Sequence, residues 1–211
     1  MSATVKDVMT THVIAARRTA TYKEIAVMLH EQRVSAFPVI DDDNKVIGVV
    51  SEADLLTKEA FGGTLPVVLE GMTRQREHAK LTGITAAELM TKPPVTIGPD
   101  EPVTSAARLM YTRQVKRLPV VSDDGTLIGI VSRADVLSVY SRPDAEIQRE
   151  ITQDLILGNP DGFTVTVKDG VVTIAGTPET APAGHDIIGA ARHVEGVVAV
   201  RDRLSYPPDT P

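Results

Sequence analysis

The chain contains an internal repeat. Residues 5–57 align with residues 86–138 at a constant offset of 81 positions, without a gap. Met9-Thr10 returns as Met90-Thr91, Val34 as Val115, Pro38-Val39 as Pro119-Val120, and Asp42-Asp43 as Asp123-Asp124. The longest match sets Gly48-Val49-Val50-Ser51-Glu52-Ala53-Asp54 against Gly129-Ile130-Val131-Ser132-Arg133-Ala134-Asp135. A unit of roughly 50 residues buries its own sheet poorly, so the duplication predicts two units packed together.

Each copy carries the same local signals. An apolar stretch, Val13-Ile14 or Val95-Thr96-Ile97, leads into a helical pattern. Ile25, Met28 and Leu29 fall at i, i+3, i+4, behind the capping-box pattern Thr21-x-x-Glu24. Ala106, Leu109 and Met110 repeat that face behind the start signals Asp100 and Pro102. Pro38 and Pro119 then open strands, where proline is tolerated. The polar turns at Asp41-Asp42-Asp43-Asn44 and Ser122-Asp123-Asp124-Gly125 lead into a second strand ending in Val50 or Val131. Ser51 and Ser132 read as N-caps of a closing helix. The repeat is therefore β-α-β-β-α.

Residues 144–206 hold no third copy, and their charge differs. Residues 1–143 carry 17 basic and 17 acidic side chains, whereas 144–206 carry 5 and 10. Ile147, Ile151 and Leu155 mark a helix ending near Gly158-Asn159-Pro160. Phe163, Val165 and Val167 alternate with polar residues, Asp169-Gly170 is a hairpin turn, and Val171 to Gly176 is the return strand. Ile187, Ile188 and Ala191 mark a second helix, and Val197 to Leu204 a third strand, giving α-β-β-α-β. Pro178, Pro182 and Gly184 crowd the start of the second helix and predict that it is shortened.

The duplicated Pro-h-h, turn, h-h-Gly-h-h-Ser-x-x-Asp pattern, with h an apolar residue, resembles a tandem pair of CBS (cystathionine-β-synthase-type) domains. The pattern Val165-x-Val167-x-Asp169-Gly170-Val171-Val172-x-Ile174-x-Gly176, with Val194-x-Gly196-Val197-x-x-Val200, resembles a BON domain. These resemblances imply an α/β and α+β chain: two β-α-β-β-α repeats packed as a pseudo-twofold pair, plus a small α-β-β-α-β domain. The expected organisation is repeat 1 at 1–60, an insert at 61–85, repeat 2 at 86–142, the BON-like domain at 143–206 and a disordered tail at 207–211. The stretch between the copies, with Phe61-Gly62-Gly63 and the charged run Arg74 to Lys80, reads as a loop with one short helix.

Composition removes several function classes. With no Cys, there are no disulfides, thiolate zinc sites or Cys nucleophiles. Aromatic content of 3% and a net charge of −6 argue against nucleic acid as partner. His12, His30, His78, His185 and His193 show no metal-ligand spacing, and the acidic turn at Asp41 lacks the remaining ligands of a calcium loop. Neither a Gly-x-Ser-x-Gly elbow nor a Walker A loop is present. The expectation is a protein without catalytic or metal-binding residues and without a tightly bound cofactor. No apolar run reaches the roughly 18 residues of a membrane span. Met1 to Thr11 lacks the apolar core of a secretory signal, which predicts a cytoplasmic protein.

The resemblance implies an adenosyl ligand: AMP, ADP, ATP or S-adenosylmethionine. An adenosine needs an apolar slot, an acceptor for ribose hydroxyls, and cations or amides for phosphate. Carried over by motif, one cleft combines Ser51 and Asp54 with Thr96, Ile97, Val115, Lys116 and Arg117. The other combines Ser132 and Asp135 with Ile14, Ala15, Val34, Ser35 and Ala36. Lys116-Arg117 supplies two cations where Ser35-Ala36 supplies none, so the first cleft is expected to be the main phosphate-bearing site. The competing account makes Gly48 and Gly129 packing residues, Ser51 and Ser132 helix caps, Asp54 and Asp135 dipole-favoured acids, and Lys116-Arg117 a solvated pair. Two functions follow. One is a ligand-sensing regulatory protein, homodimeric through the CBS pair, whose BON-like domain docks to a protein or a phospholipid surface. The other is a constitutive dimerisation scaffold without ligand. The acidic balance of residues 144–206 weakens the phospholipid option, because anionic headgroups attract basic segments.

Overall fold

A computed structural model describes residues 3–61, 82–156 and 162–206. The expected helix in the insert, the Gly158-Asn159-Pro160 stop and the 207–211 tail lie outside the described residues. The elements run α1 (Val5–Val8), β1 (Ala16–Arg17), α2 (Tyr22–Gln32), β2 (Ala36–Ile40), β3 (Val46–Ser51), α3 (Glu52–Phe61), α4 (Ala86–Leu89), α5 (Val103–Thr112), β4 (Arg117–Val121), β5 (Leu127–Ser132) and α6 (Arg133–Ser138). A 3₁₀ turn, Val139–Ser141, leads to α7 (Asp144–Glu150), a π turn (Ile151–Leu155), β6 (Phe163–Lys168), β7 (Val171–Gly176), α8 (Ala181–Ala191) and β8 (Ala199–Leu204). The fold is α/β with a small α+β region. The chain forms two compact units: Met9–Glu101 with Ser105–Arg133, and Met1–Val8 with Pro102–Thr104 and Ala134–Pro211.

In the first unit, β2 and β3 pair antiparallel as β4 and β5 do, each ladder slipping register at the same point, Val39/Ile40 and Val120/Val121. The turn residues Asn44 and Gly125, and the helix-end residues Arg33 and Gln114, share left-handed backbone at matching repeat positions. The Thr21 capping box forms: Thr21 N–H donates to Glu24 at 2.7 Å and Glu24 N–H to the Thr21 hydroxyl at 3.3 Å. The first strand is shifted from its expected place. It is Ala16–Arg17, parallel to β2, and in repeat 2 it shrinks to one bridge between Ile97 and Val120. Small Ala16 takes the buried position at 1% exposure, while apolar Ile14 is 46% exposed, so hydrophobicity pointed two residues early.

The two copies exchange segments. Thr91 and Val49 trade backbone hydrogen bonds at 2.8 and 3.1 Å, and Thr10 and Ile130 do so at 3.0 and 2.9 Å. Val46 N–H donates to the Gly125 carbonyl, and Leu127 N–H to that of Asn44, each at 3.1 Å, which joins the two hairpins. Met90 belongs to the core that repeat 1 builds from Ile25, Leu29, Phe37, Val39, Val50 and Leu55. The short helix α4 that delivers Met90 had no sequence signal beyond Thr85-x-x-Glu88, a second capping box.

In the second unit, β6 and β7 form a hairpin and β7 pairs parallel with β8. Asp169 and Gly170 both take positive φ, as a tight hairpin turn requires. The Asp144 carboxylate caps that turn, accepting from Asp169 N–H at 2.7 Å and Gly170 N–H at 2.9 Å. Ile147, Ile151, Val172, Ile174 and Ala191 form the core. The helix expected to be short is not: α8 runs 11 residues. Thr180 caps it, accepting from Ala183 N–H, and Pro182 falls in the first turn, where its missing N–H would have no partner anyway. Gly184 is required for packing, since a Cβ there would come within 3 Å of Tyr206 and Pro178.

Candidate ligand-binding cleft

A cavity of about 410 Å³ opens in the first unit, lined by both repeats. The size is within the ordinary range for small-molecule sites. Its residues come from the end of β3 and first turn of α3, the segment after α4, and the loop into β4.

Among the described residues Asp54 is the one buried charged side chain, at 6% exposure. Its Oδ2 accepts from Ser51 N–H at 2.8 Å and from the Ser51 hydroxyl at 2.6 Å. The Thr91 hydroxyl donates to Oδ1 at 3.4 Å. The Ser51 hydroxyl thus donates to the carboxylate and does not accept from a helix N–H as the expected N-cap would. Ser51 is in register with Ala36, and Glu52 N–H donates to the Ser35 carbonyl at 3.0 Å, which sets the first turn of α3 against the cavity. That turn brings the positive end of the helix dipole to the wall.

The opposite side comes from repeat 2. Gln114, in left-handed backbone, ends the turn after α5 and precedes Val115, Lys116 and Arg117, all on the lining. Arg117 opens β4 opposite Ser132, and the Arg133 guanidinium donates to the Val115 carbonyl at 3.2 Å, steadying the loop. Lys116 is exposed and Arg117 half-buried. Among the described residues neither has a carboxylate within ion-pair distance. Val49, Pro94 and Val95 add apolar wall.

Of the residues assigned to the first cleft, the cavity unites Ser51, Asp54, Val115, Lys116 and Arg117. Thr96 and Ile97 are off the lining: Ile97 is 5% exposed and its N–H and carbonyl bond to Pro119 and Val121. Ser35 and Ala36, assigned to the second cleft, line this first cavity instead, because the β2 start lies beside the β3 end in the ladder. Val34 packs on the repeat 1 core, Ala15 borders a shallow open hollow with Arg17 and Lys23, and Ile14 is exposed. Ser132 ends β5 in the first unit, while Asp135 is half-buried in the second, its carbonyl accepting from the Ser138 hydroxyl at 2.7 Å. Thr91, Pro93 and Glu52 were not nominated from the sequence. The repeated Met-Thr pair was the available signal for Thr91.

Gly48 and Gly129 serve packing. A Cβ at Gly48 would overlap the Met90 sulfur, and one at Gly129 would stand 2.5 Å from that of Met9. The swapped methionines therefore require glycine across from them. Among the described residues, no cluster of His or acidic side chains could hold a metal ion, and no helix is long and apolar enough to cross a membrane.

Duplicated α/β repeats with exchanged segments and a shared cavity define a tandem-repeat module, followed by a small α+β region. The chain matches the CBS domain family over residues 5–60 and 86–142 and the BON domain family over 143–208. It belongs to the CBS domain family and carries a BON domain after the pair. An uncharacterized protein of Methanopyrus kandleri is 31% identical over 150 residues, 71% of this chain and 69% of that protein. The chloroplastic CBS domain-containing protein CBSX2 of Arabidopsis thaliana is 33% identical over 162 residues, 70% of this chain and 66% of its own length. A crystal structure of CBSX2 in complex with AMP superposes with a TM-score of 0.57 at 32% identity, covering 64% of this chain and 94% of that one.

Proposed function

We propose that the protein is a non-enzymatic, ligand-sensing regulator whose CBS pair binds an adenine nucleotide or related adenosyl ligand. In this reading the BON domain docks to a protein partner or surface. The observation that carries it is the cavity itself. One side holds a fixed, buried carboxylate suited to ribose hydroxyls, the other holds Lys116 and Arg117, and apolar walls lie between. The similarity to CBSX2, crystallised with AMP, supports the same ligand class. The ligand binds reversibly, the protein works in the cytoplasm, and the CBS pair forms a homodimer that ligand binding repacks. That coupling can be no larger than the ligand's differential affinity for the two packings.

The scaffold alternative draws on one feature of the same site: Ser51 already engages Asp54 Oδ2, as a purely structural carboxylate would be engaged. A thermal-shift series with AMP, ADP, ATP and S-adenosylmethionine separates the two, because a ligand that binds only the native state raises Tm. A rise that is lost in Arg117→Ala is expected. No rise with any of the four favours the scaffold.

A further inference from the structure

Four charged side chains share the cavity lining, and one of them opposes the rest of the site. Asp54 is committed to Ser51, and Lys116 and Arg117 supply the positive side. The fourth is Glu52, exposed at the first residue of α3, its backbone pinned to the wall by the bond to the Ser35 carbonyl at 3.0 Å. Position 52 is also where the copies differ in sign. Glu52 stands where repeat 2 has Arg133, inside an otherwise matched Gly-h-h-Ser-x-Ala-Asp.

We infer that Glu52 sets a charge limit on this cleft, so that it takes an adenine nucleotide bearing a single phosphate and discriminates against di- and triphosphates. The inference rests on the ligand reading above. A ribose donates to Asp54, and a monophosphate brings up to two negative charges. Lys116 and Arg117 match those two charges. Each further phosphate adds at least one negative charge. Among the described residues the lining offers no third cation to receive it, and Glu52, which also borders the neighbouring hollow with His30 and Arg33, adds a negative charge at the edge of the cleft. Glu52 thus acts on specificity and is not needed to hold a monophosphate.

The test is calorimetric titration of the full chain with AMP and with ATP, without magnesium, for the wild type, Glu52→Gln and Glu52→Lys. The wild type is expected to bind AMP at least about tenfold more tightly than ATP. Glu52→Gln should narrow that ratio about fivefold, and Glu52→Lys should erase it, chiefly through tighter ATP binding. Raising the salt should shrink the wild-type ratio. A ratio measured within one variant does not depend on that variant's stability. Equal AMP and ATP affinity in the wild type, or a ratio unchanged by both substitutions, would overturn the charge limit. If ATP bound tightly and Arg117→Ala abolished it, the ligand reading would stand and this inference alone would fall. If neither nucleotide bound, both would fall.

Discussion

Gly48→Ala is the perturbation whose cost follows most directly from the exchanged geometry. A Cβ at that position overlaps the Met90 sulfur and lies 2.7 Å from its Cγ and 3.0 Å from its Cβ. Met90 cannot simply swing its tip aside, because the clash extends to its Cβ. The backbone just after it is tied to β3 by the two Thr91–Val49 bonds. Overpacking of this kind costs about 1–3 kcal/mol. For a chain of this size each kcal/mol lowers Tm by roughly 2–4 °C. At Gly129 the nearest atom is the flexible Met9 sulfur at 2.5 Å, with Cγ at 3.1 Å, so Gly129→Ala should cost less. Met90→Ala alone should destabilise by about 2–5 kcal/mol, since it empties space in the repeat 1 core. The double variant Gly48→Ala/Met90→Ala should be at least about 1 kcal/mol more stable than the sum of the single effects. Urea denaturation of the four proteins gives that coupling. Additive effects, or Gly129→Ala proving the costlier glycine change, would refute the assignment of these glycines to methionine packing.

Three further outcomes follow from the structure. Asp144→Ala should destabilise the second unit by about 1–3 kcal/mol, because the Asp169 and Gly170 amides lose their acceptor, and hydrogen exchange at Gly170 should rise. Asp124 is held at about 2, below its ordinary 3.8, first by the Ser122 hydroxyl and then by Thr126. A depressed folded-state pKa stabilises above 3.8, and that contribution is lost as pH falls through about 2, so Asp124→Asn should lower Tm at neutral pH and converge with wild type in strong acid. Ser51→Ala removes one of the two bonds to Asp54 Oδ2, so it should weaken nucleotide binding about tenfold or less, whereas Asp54→Ala should abolish it; equal losses would contradict the division of labour between the two residues.

The repeat and its local signals were legible because they depend on short-range rules. The offset of 81, the Thr21-x-x-Glu24 box and the Asp169-Gly170 turn each specify a conformation within a few residues, and each forms. What the sequence concealed depends on distant partners. The exchange of Met90-Thr91 onto β3 explains Gly48, yet nothing near Gly48 announces a methionine from another repeat. The cavity that Ser35 and Ala36 line is hidden for the same reason: it is set by the ladder position of Ala36 opposite Ser51. The length of α8 is ambiguous in the sequence because proline breaks a helix interior but is harmless in a first turn, where Pro182 falls. Glu52 carries no signal in the repeat, because internal matching marks the shared Ser51 and Asp54 and is silent at a position where the copies differ.

The proposed function requires that the cavity between β3–α3 and β4 hold the nucleotide. A crystal structure of the protein grown with AMP tests it most directly. Ribose hydroxyls on Asp54 and the phosphate between Lys116 and Arg117 are expected. An empty cavity at saturating AMP, or AMP bound away from Asp54, would contradict it.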